Sequence, residues 1–143
     1  MTDYDHKSGF FMCSVRNVSE EEKDKIEYCV KTLEDAGYVL HFPPRNTNQN
    51  DSTGYNICMQ NMQAIQNSYY VFSYWNPKSE GSIFDLGNKF MKGGPLLVVN
   101  KKLVKPTEHK SFTNVILEMD NQWRPIVRQK DPKLIDILES LEL

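Results

Sequence analysis

Short apolar runs alternate along this chain with segments whose apolar residues recur at helical spacing. The runs read "GFFMCSV" (9–15), "YVLHF" (38–42), "YYVFSYW" (69–75) and "PLLVVN" (95–100). Neighbouring parallel strands need a long crossover between them, and a helix supplies one. The alternation therefore predicts an α/β fold in which helices cover a mostly parallel sheet, with the element order β-α-β-α-β-α-β-α.

Helix boundaries are indicated by capping residues. Ser19 and Glu22 have the spacing of a capping box, and Gly37 is placed to end the same helix. Asp131 followed by Pro132 predicts the start of the last helix. The segment 111–120 has helical spacing, but its β-branched residues leave a strand open. Side chains expected to face the core from the first three helices are Ile26, Cys29, Val30, Leu33, Ile57, Met62, Ile65, Leu86 and Phe90.

Length and composition predict one globular domain over residues 1–143. The chain is 39% hydrophobic and has a formal net charge of -2, with its lysines scattered. A nucleic-acid polymer as partner is disfavoured, because such domains carry a clear basic excess. No window approaches eighteen apolar residues and the first fifteen residues lack a signal-peptide pattern, so we expect a cytoplasmic protein without a membrane partner.

The cysteine and histidine positions do not predict a metal or cofactor. Cys13, Cys29 and Cys58 are odd in number and far apart, and the three histidines lack metal-ligand spacing. We expect reduced thiols, no metal and no cofactor.

The loops that follow the strands are where an open α/β sheet binds its ligands. After the first strand, Ser14 supplies a hydroxyl, Arg16 a guanidinium, and the start of the next helix supplies backbone N–H groups. This combination suits a phosphate. The alternative is that Arg16 is an ordinary surface arginine beside a turn.

The stretch "SEGSIFDLG" (79–87) follows the third apolar run and opens the third helix. Taken alone, it favours a structural interpretation in which Ser82 caps the helix and Asp85 occupies the third helical position. The alternative is that Asp85 takes part in chemistry.

Three motifs in order resemble the nucleoside 2-deoxyribosyltransferase family, and within it the branch that hydrolyses 2′-deoxynucleoside 5′-monophosphates. "FFMCSVRN" looks like that branch's strand and phosphate loop, and "ICMQNMQAIQNSYYVFSYWNP" like its helix and following strand. "SEGSIFDLGNKFMKGGPLLVV" looks like its signature of Gly, a small residue, two variable positions and Glu-Leu-Gly. The resemblance covers about residues 9–100 and implies a flavodoxin-like (Rossmann-like) three-layer sandwich.

The resemblance implies cleavage or transfer at the N-glycosidic bond of a deoxynucleoside or its 5′-monophosphate. The family's nucleophilic glutamate matches Asp85, which is one methylene shorter. Its second acid, which handles the proton of the base, matches Asn61, and an amide cannot deliver a proton. Glu80 is a candidate replacement, and a solvated loop charge is the alternative.

Further residues are expected to bind the ligand, and a homodimer or larger homo-oligomer is implied. Asn17 and Val18 replace the glycines of the family's phosphate loop, which puts close phosphate approach in doubt. Asn114 falls where the family contributes a residue to its neighbour's site. Tyr4, Tyr55, Phe42 and Trp75 are candidates for stacking on a base. The expected substrate-binding residues are Ser14, Arg16, Asn17, Trp75, Ser79, Gly81, Ser82 and Asn114.

Two function classes follow. One is an enzyme acting on the N-glycosidic bond with Asp85 as nucleophile. The other is a nucleotide-binding module of the same fold, in which the Asp and Asn substitutions have impaired catalysis. A TIR-like domain acting on NAD is a more distant alternative that no motif favours.

Overall fold

The computed structural model of the protein describes residues 6–143. Its elements are β1 (Ser8–Met12), α1 (Glu20–Asp35), β2 (Val39–His41), α2 (Pro43–Asn46), α3 (Tyr55–Gln66), β3 (Tyr70–Ser73), α4 (Glu80–Lys92), β4 (Leu96–Val98), a 3₁₀ turn (Lys101–Leu103), α5 (Phe112–Lys130) and α6 (Pro132–Ser140). The four strands form one all-parallel sheet in the order β2-β1-β3-β4. The flavodoxin-like α/β fold expected from the sequence is confirmed.

Helices cover both faces of the sheet because successive strand residues point to opposite sides. Phe11, Leu40, Phe72 and Leu97 pack with α1 and α6 in one hydrophobic cluster. Phe10, Met12, Val71 and Leu96 pack on the other face with Ile65 of α3, Leu86 of α4 and Ile116 of α5. These are the three layers of the fold.

Local sequence signals account for most helix ends. The Ser19 hydroxyl accepts a hydrogen bond from the Glu22 N–H, and the Asp131 carboxylate accepts one from the Leu134 N–H. Gly37 and Gly93 follow their helices with positive φ angles of 98° and 80°. The segment left open between helix and strand is the start of α5.

The inward face of α4 was predicted incorrectly at its C-terminal end. Phe90 is 65% exposed, whereas the neighbouring Lys89 is fully buried. Ser82, Asp85, Leu86 and Lys89 form the buried face, at i, i+3, i+4 and i+7. Three of these four residues are polar, which hydrophobic periodicity cannot detect.

Side chains form hydrogen bonds with the outer strand at both edges of the sheet. On β2, an Arg45 N–H donates to the Leu40 carbonyl. On β4, Asp120 accepts from the Val98 N–H, and Arg124 donates to the Val98 carbonyl. These side chains occupy positions where a further strand would otherwise form hydrogen bonds.

The chain order reverses direction at the carboxyl ends of β1 and β3. From β1 the chain runs to β2 on one side, and β3 and β4 lie on the other. In open α/β sheets such a reversal point is the usual place for a ligand. Ser14 follows β1 here, and α4 with Asp85 follows β3. None of the helices in residues 6–143 is both long and apolar enough to span a membrane.

Candidate active site

Asp85 lies in the second turn of α4 and is only 6% exposed. The helix begins earlier than the sequence predicted, because its cap is Ser79 and not Ser82. The Ser79 hydroxyl accepts a hydrogen bond from the Ser82 N–H. The interpretation of Ser82 as the cap and Asp85 as the third helical residue is therefore wrong. Asp85 does not serve the helix terminus, so its burial needs another explanation.

The Asp85 carboxylate is buried without a compensating partner. Within residues 6–143 no hydrogen bond or ion pair engages it, and burial raises its pKa from the usual range to about 7. Burying a carboxyl group disfavours its charged form, and this cost is ordinarily offset by a partner. An uncompensated carboxyl group at the ligand end of an α/β sheet is a candidate for function.

Two cysteines lie near the Asp85 carboxylate. Burial raises the pKa of Cys13 to about 12, and the charge of Asp85 adds to the effect. The pKa of Cys58 is raised by burial and then by the same charge. The Asp85 carboxylate is therefore close enough to Cys13, just after β1, and to Cys58, on α3, for its charge to act on both thiols.

Two buried hydroxyls accompany Asp85 on the buried side of α4. The Ser73 and Ser82 Oγ atoms are fully shielded from solvent and have no hydrogen-bond partner in the described part of the chain. Ser82 precedes Asp85 by three residues and shares its helix face. Ser73 ends β3 and lies two residues from Val71, on the sheet face that α4 covers. Buried hydroxyls without partners are rare enough to mark a polar site.

Asn61 is buried on α3 at the end of a hydrogen-bond chain. Its Oδ1 accepts from the Thr47 hydroxyl at 2.7 Å, and the same hydroxyl lies 2.7 Å from His41 Nε2. Asn61 lies one turn after Cys58 on α3, and α3 packs against α4. The two residues matched to the family's catalytic pair thus lie on adjacent helices.

Ser79, Glu80 and Gly81 lie at the N-terminus of α4. Glu80 is exposed in the first turn, where a carboxylate favours the helix dipole. Gly81 is also exposed, and a Cβ there would meet nothing within 4 Å. Glu80 therefore has the surroundings of the solvated loop charge, and Ser79 has a capping role.

The expected phosphate loop has mixed features. Arg16 is exposed and makes no hydrogen bond or ion pair within the described residues, and Ser14 is 8% exposed. Asn17 has a φ of 57°, the left-handed conformation that glycine adopts freely and that asparagine tolerates best among other residues. The backbone shape that the missing glycine would favour is therefore present.

The start of α1 is less suited to a phosphate than the sequence suggested. Ser19 caps it, and Glu20, Glu21 and Glu22 fill its first turn. Three carboxylates there oppose the attraction of an anion to the helix terminus. A phosphate at this loop would depend on Arg16 and Ser14.

The aromatic candidates differ in accessibility. Trp75 is 3% exposed, and its indole N–H donates to the Thr113 hydroxyl at 2.9 Å. Phe42 is 8% exposed and packs edge-on against Phe11. Tyr55 is 67% exposed at the start of α3. Trp75 and Phe42 are core residues here, and Tyr4 lies outside the described residues.

The Asn114 side chain is engaged within its own loop. Its Oδ1 accepts from the Thr107 N–H, and its Nδ2 donates to the carbonyls of Thr107 and His109. These three hydrogen bonds hold the loop before α5. Reaching a neighbouring subunit would require breaking them.

Two cavities lie elsewhere on the molecule. A pocket of about 200 Å³ is lined by Val98, Lys101, Arg124, Glu139 and Leu143, among others. An open groove of about 380 Å³ runs between the β1-β2 edge and α3 and includes His41. Neither is lined by Asp85 or Asn61. Within residues 6–143 no three His, Cys, Asp or Glu side chains are grouped to hold a metal ion.

Sequence reasoning missed His41 and Thr47. His41 was considered only for metal-ligand spacing. The segment 43–54 was expected to be a polar loop that lines a site, but its first four residues form α2, and Thr47 follows them without a motif of its own. The available signal was position: His41 ends a strand, and a long polar loop after a strand commonly lines a site. No protein-family model and no curated protein matches this sequence.

Proposed function

We propose that this protein breaks or transfers the N-glycosidic bond of a deoxynucleoside or its 5′-monophosphate, with Asp85 as nucleophile. The observation that supports this most is the buried Asp85 carboxyl group without a partner. The motif order "FFMCSVRN", "ICMQNMQ" and "SEGSIFDLG", which resembles the nucleoside 2-deoxyribosyltransferase family, supplies the substrate class.

The proposed reaction has two displacements. An ionised Asp85 oxygen attacks the anomeric carbon while the bond to the base nitrogen breaks, and the bonding electrons leave with the base. The base takes a proton from solvent, since the Asn61 amide cannot supply one. Water or a second base then attacks the anomeric carbon, losing a proton, and the Asp85 carboxylate is released.

The pKa of Asp85 sets the pH dependence of this chemistry. Because only the ionised carboxylate attacks, kcat/KM should rise with pH through about 7. A general acid would show the opposite trend, since its activity is lost as it ionises. The profile therefore separates the two roles.

Base release is the direct test. Deoxynucleosides and their 5′-monophosphates are incubated with the protein, and free base is measured by chromatography. Asp85→Ala should abolish release, whereas Asp24→Ala, which removes an exposed carboxylate of α1, should leave it unchanged. Base release that persists in Asp85→Ala would remove the nucleophile assignment.

A nucleotide-binding module without catalysis is the second candidate. It is favoured by the environment of Asn61, because the matched partner acid is an amide already bonded to Thr47 and Glu80 is exposed. In this case Asp85 would hydrogen-bond a sugar hydroxyl. Nucleotide binding without base release would establish this alternative.

The proposal includes a homodimer or larger homo-oligomer in the cytoplasm, where thiols stay reduced. Phe84 and Met91 are 55% and 91% exposed and lie seven residues apart on one face of α4, with the exposed Gly87 between them. A second copy could cover this apolar stripe, and the glycine would allow close approach. No cofactor is required by the proposed reaction.

A further inference from the structure

In the hydrogen-bond chain from His41 through Thr47 to Asn61, Thr47 and Asn61 are buried and His41 is half-buried. Thr47 is 4% exposed and Asn61 is 7% exposed, and both hydrogen bonds of the Thr47 hydroxyl are 2.7 Å long. His41 is held in turn by its ring, which stacks on Phe10 at 5.6 Å between centroids. The three polar groups are therefore fixed relative to the core.

A hydroxyl has one proton, and this fixes the direction of the chain. The Thr47 hydroxyl donates to Asn61 Oδ1, so it must accept from His41, and His41 Nε2 carries the hydrogen. Burial and the charge of Arg45 lower the pKa of His41, which favours its neutral ring.

The same count determines what Asn61 offers to a ligand. Its Oδ1 is occupied by Thr47, while its Nδ2 has no partner in the described residues and keeps some contact with solvent. The amide therefore keeps its N–H donors for a ligand, on the helix that packs against the one carrying Asp85. A hydrogen-bond acceptor on the ligand would pair with these N–H groups. An amino group is itself a donor and would leave them unpaired.

We infer that Thr47 and His41 are specificity-determining positioning residues, which hold the Asn61 amide so that the site selects bases with an oxo group over bases with an amino group at the contacted position. Hypoxanthine, guanine, uracil and thymine belong to the first class, and adenine and cytosine to the second. This rests on the proposed function for the ligand class, and it goes beyond it by naming the base.

Paired ligands that differ at one position test the selection. Dissociation constants are measured for the 5′-monophosphates of deoxyuridine against deoxycytidine and of deoxyinosine against deoxyadenosine, in the Asp85→Ala background. The oxo member should bind at least about tenfold more tightly, the usual scale for leaving a buried donor unmatched. In the Asp85-containing protein the preference should appear in KM rather than kcat, because the amide contacts the base before and during the reaction.

Two substitutions of Thr47 separate the hydroxyl from its shape. Thr47→Val keeps the side-chain volume and removes the hydroxyl proton, so the Asn61 amide is free to turn. The ratio of the two dissociation constants in each pair should then fall towards one. Thr47→Ser keeps the hydroxyl and should retain the preference. Equal binding of both members, or a preference unchanged in Thr47→Val, would overturn the inference.

Nitrogen-15 NMR of the His41 ring tests the direction of the chain without a ligand. We expect a protonated Nε2 and an unprotonated Nδ1, and a hydrogen on Nδ1 would overturn the assignment. An oxo preference in binding without base release would mean that the proposed reaction fails and the specificity stands. If no monophosphate of either pair binds, the specificity falls together with the proposed ligand class.

Discussion

Burial raises the pKa of the Asp85 carboxyl group to about 7, well above the usual range of an aspartate. A nucleophile with this pKa keeps a reactive fraction while it avoids the full cost of burying a charge. The positive charge that develops on the sugar in the transition state would favour its ionised form. The burial of Asp85 therefore suits a reaction that generates positive charge nearby.

Arg16 should set the preference for a 5′-phosphate. Its guanidinium is exposed and unengaged within the described residues, so Arg16→Ala should reduce kcat/KM for monophosphates at least about tenfold, since such charge-assisted hydrogen bonds contribute about 1.5–3 kcal/mol. Free deoxynucleosides should be unaffected. Lys23→Ala, which removes an exposed cation from α1, is the control. Equal losses for both substrate types would exclude a phosphate contact.

Burial of the Lys89 side chain should lower the free energy of unfolding, most strongly below neutral pH. Burial, and then the charge of Lys92, lowers its pKa from 10.5 to about 7, and its Nζ has no partner in the described residues. Between pH 7 and 10.5 the unfolded chain binds a proton that the folded chain does not, so the free energy of unfolding rises with pH.

Replacing Lys89 by methionine should remove this effect. Lys89→Met should raise the free energy of unfolding by a few kcal/mol at pH 6, on the order of 1.4 kcal/mol per pKa unit, and the gain should shrink towards pH 10. Urea unfolding at several pH values measures it. Lys23→Met is the exposed control and should change little. A loss of stability in Lys89→Met at pH 6 would show that Lys89 has a partner in solution.

The sequence singled out Asp85 as a candidate site residue but did not predict its environment. The residue's position in a motif is local information, and its motif resemblance was sufficient to single it out. Its burial depends on how α4 rotates against the sheet, and that rotation also buries Lys89 in place of Phe90. A polar residue on a buried face breaks the hydrophobic period on which the prediction relied.

At the scale of elements, β4 depends on Asp120. This residue is fully buried and receives hydrogen bonds from Val98 N–H, Arg124 and Lys101. Burial alone would raise the pKa of Asp120, but the hydrogen bonds and charge of Arg124, with those of Lys101 and Val98, outweigh it and lower the pKa.

Removing the Asp120 carboxylate should therefore be costly. Asp120→Ala should lower the free energy of unfolding by about 3–5 kcal/mol at pH 7, because it leaves Arg124 partly buried without its partner. The difference from the parent should shrink as the pH falls below about 4, because the Asp120 carboxyl group of the unfolded chain then binds a proton while that of the folded chain, with its lowered pKa, is still ionised. Asp136→Ala, at an exposed ion pair, should cost about 1 kcal/mol or less. A similar small loss in Asp120→Ala would contradict this role.

Element boundaries were predictable where the chemistry of the cap is unique. Ser19, Gly37 and Asp131 each mark a helix end in both sequence and structure. At α4, Ser79 and Ser82 are both suitable caps, and the choice between them depends on the loop after β3. The His41–Thr47–Asn61 chain joins three elements, so no short stretch of sequence reveals it.

At the scale of the whole molecule, α4 links the site to the outer surface. One face carries Asp85, and another carries the exposed Phe84 and Met91. If this stripe joins two copies, Met91→Glu should convert the protein to a monomer in sedimentation measurements at micromolar concentration. Leu103→Glu, at a partly exposed apolar residue elsewhere, should not. A parent protein that sediments as a monomer would exclude the dimer.

The side-chain hydrogen bonds at the two edges of the sheet affect how readily the folded protein aggregates. A parallel sheet with bare outer strands can recruit the extended segments of damaged neighbours and grow into fibrils. Here Arg45 on one side and the Asp120–Arg124 pair on the other already occupy hydrogen-bonding groups that an incoming segment would need. Fibril growth at either edge should therefore require one of these side chains to break its hydrogen bond first. Resistance to aggregation should then depend on Arg45 and Arg124.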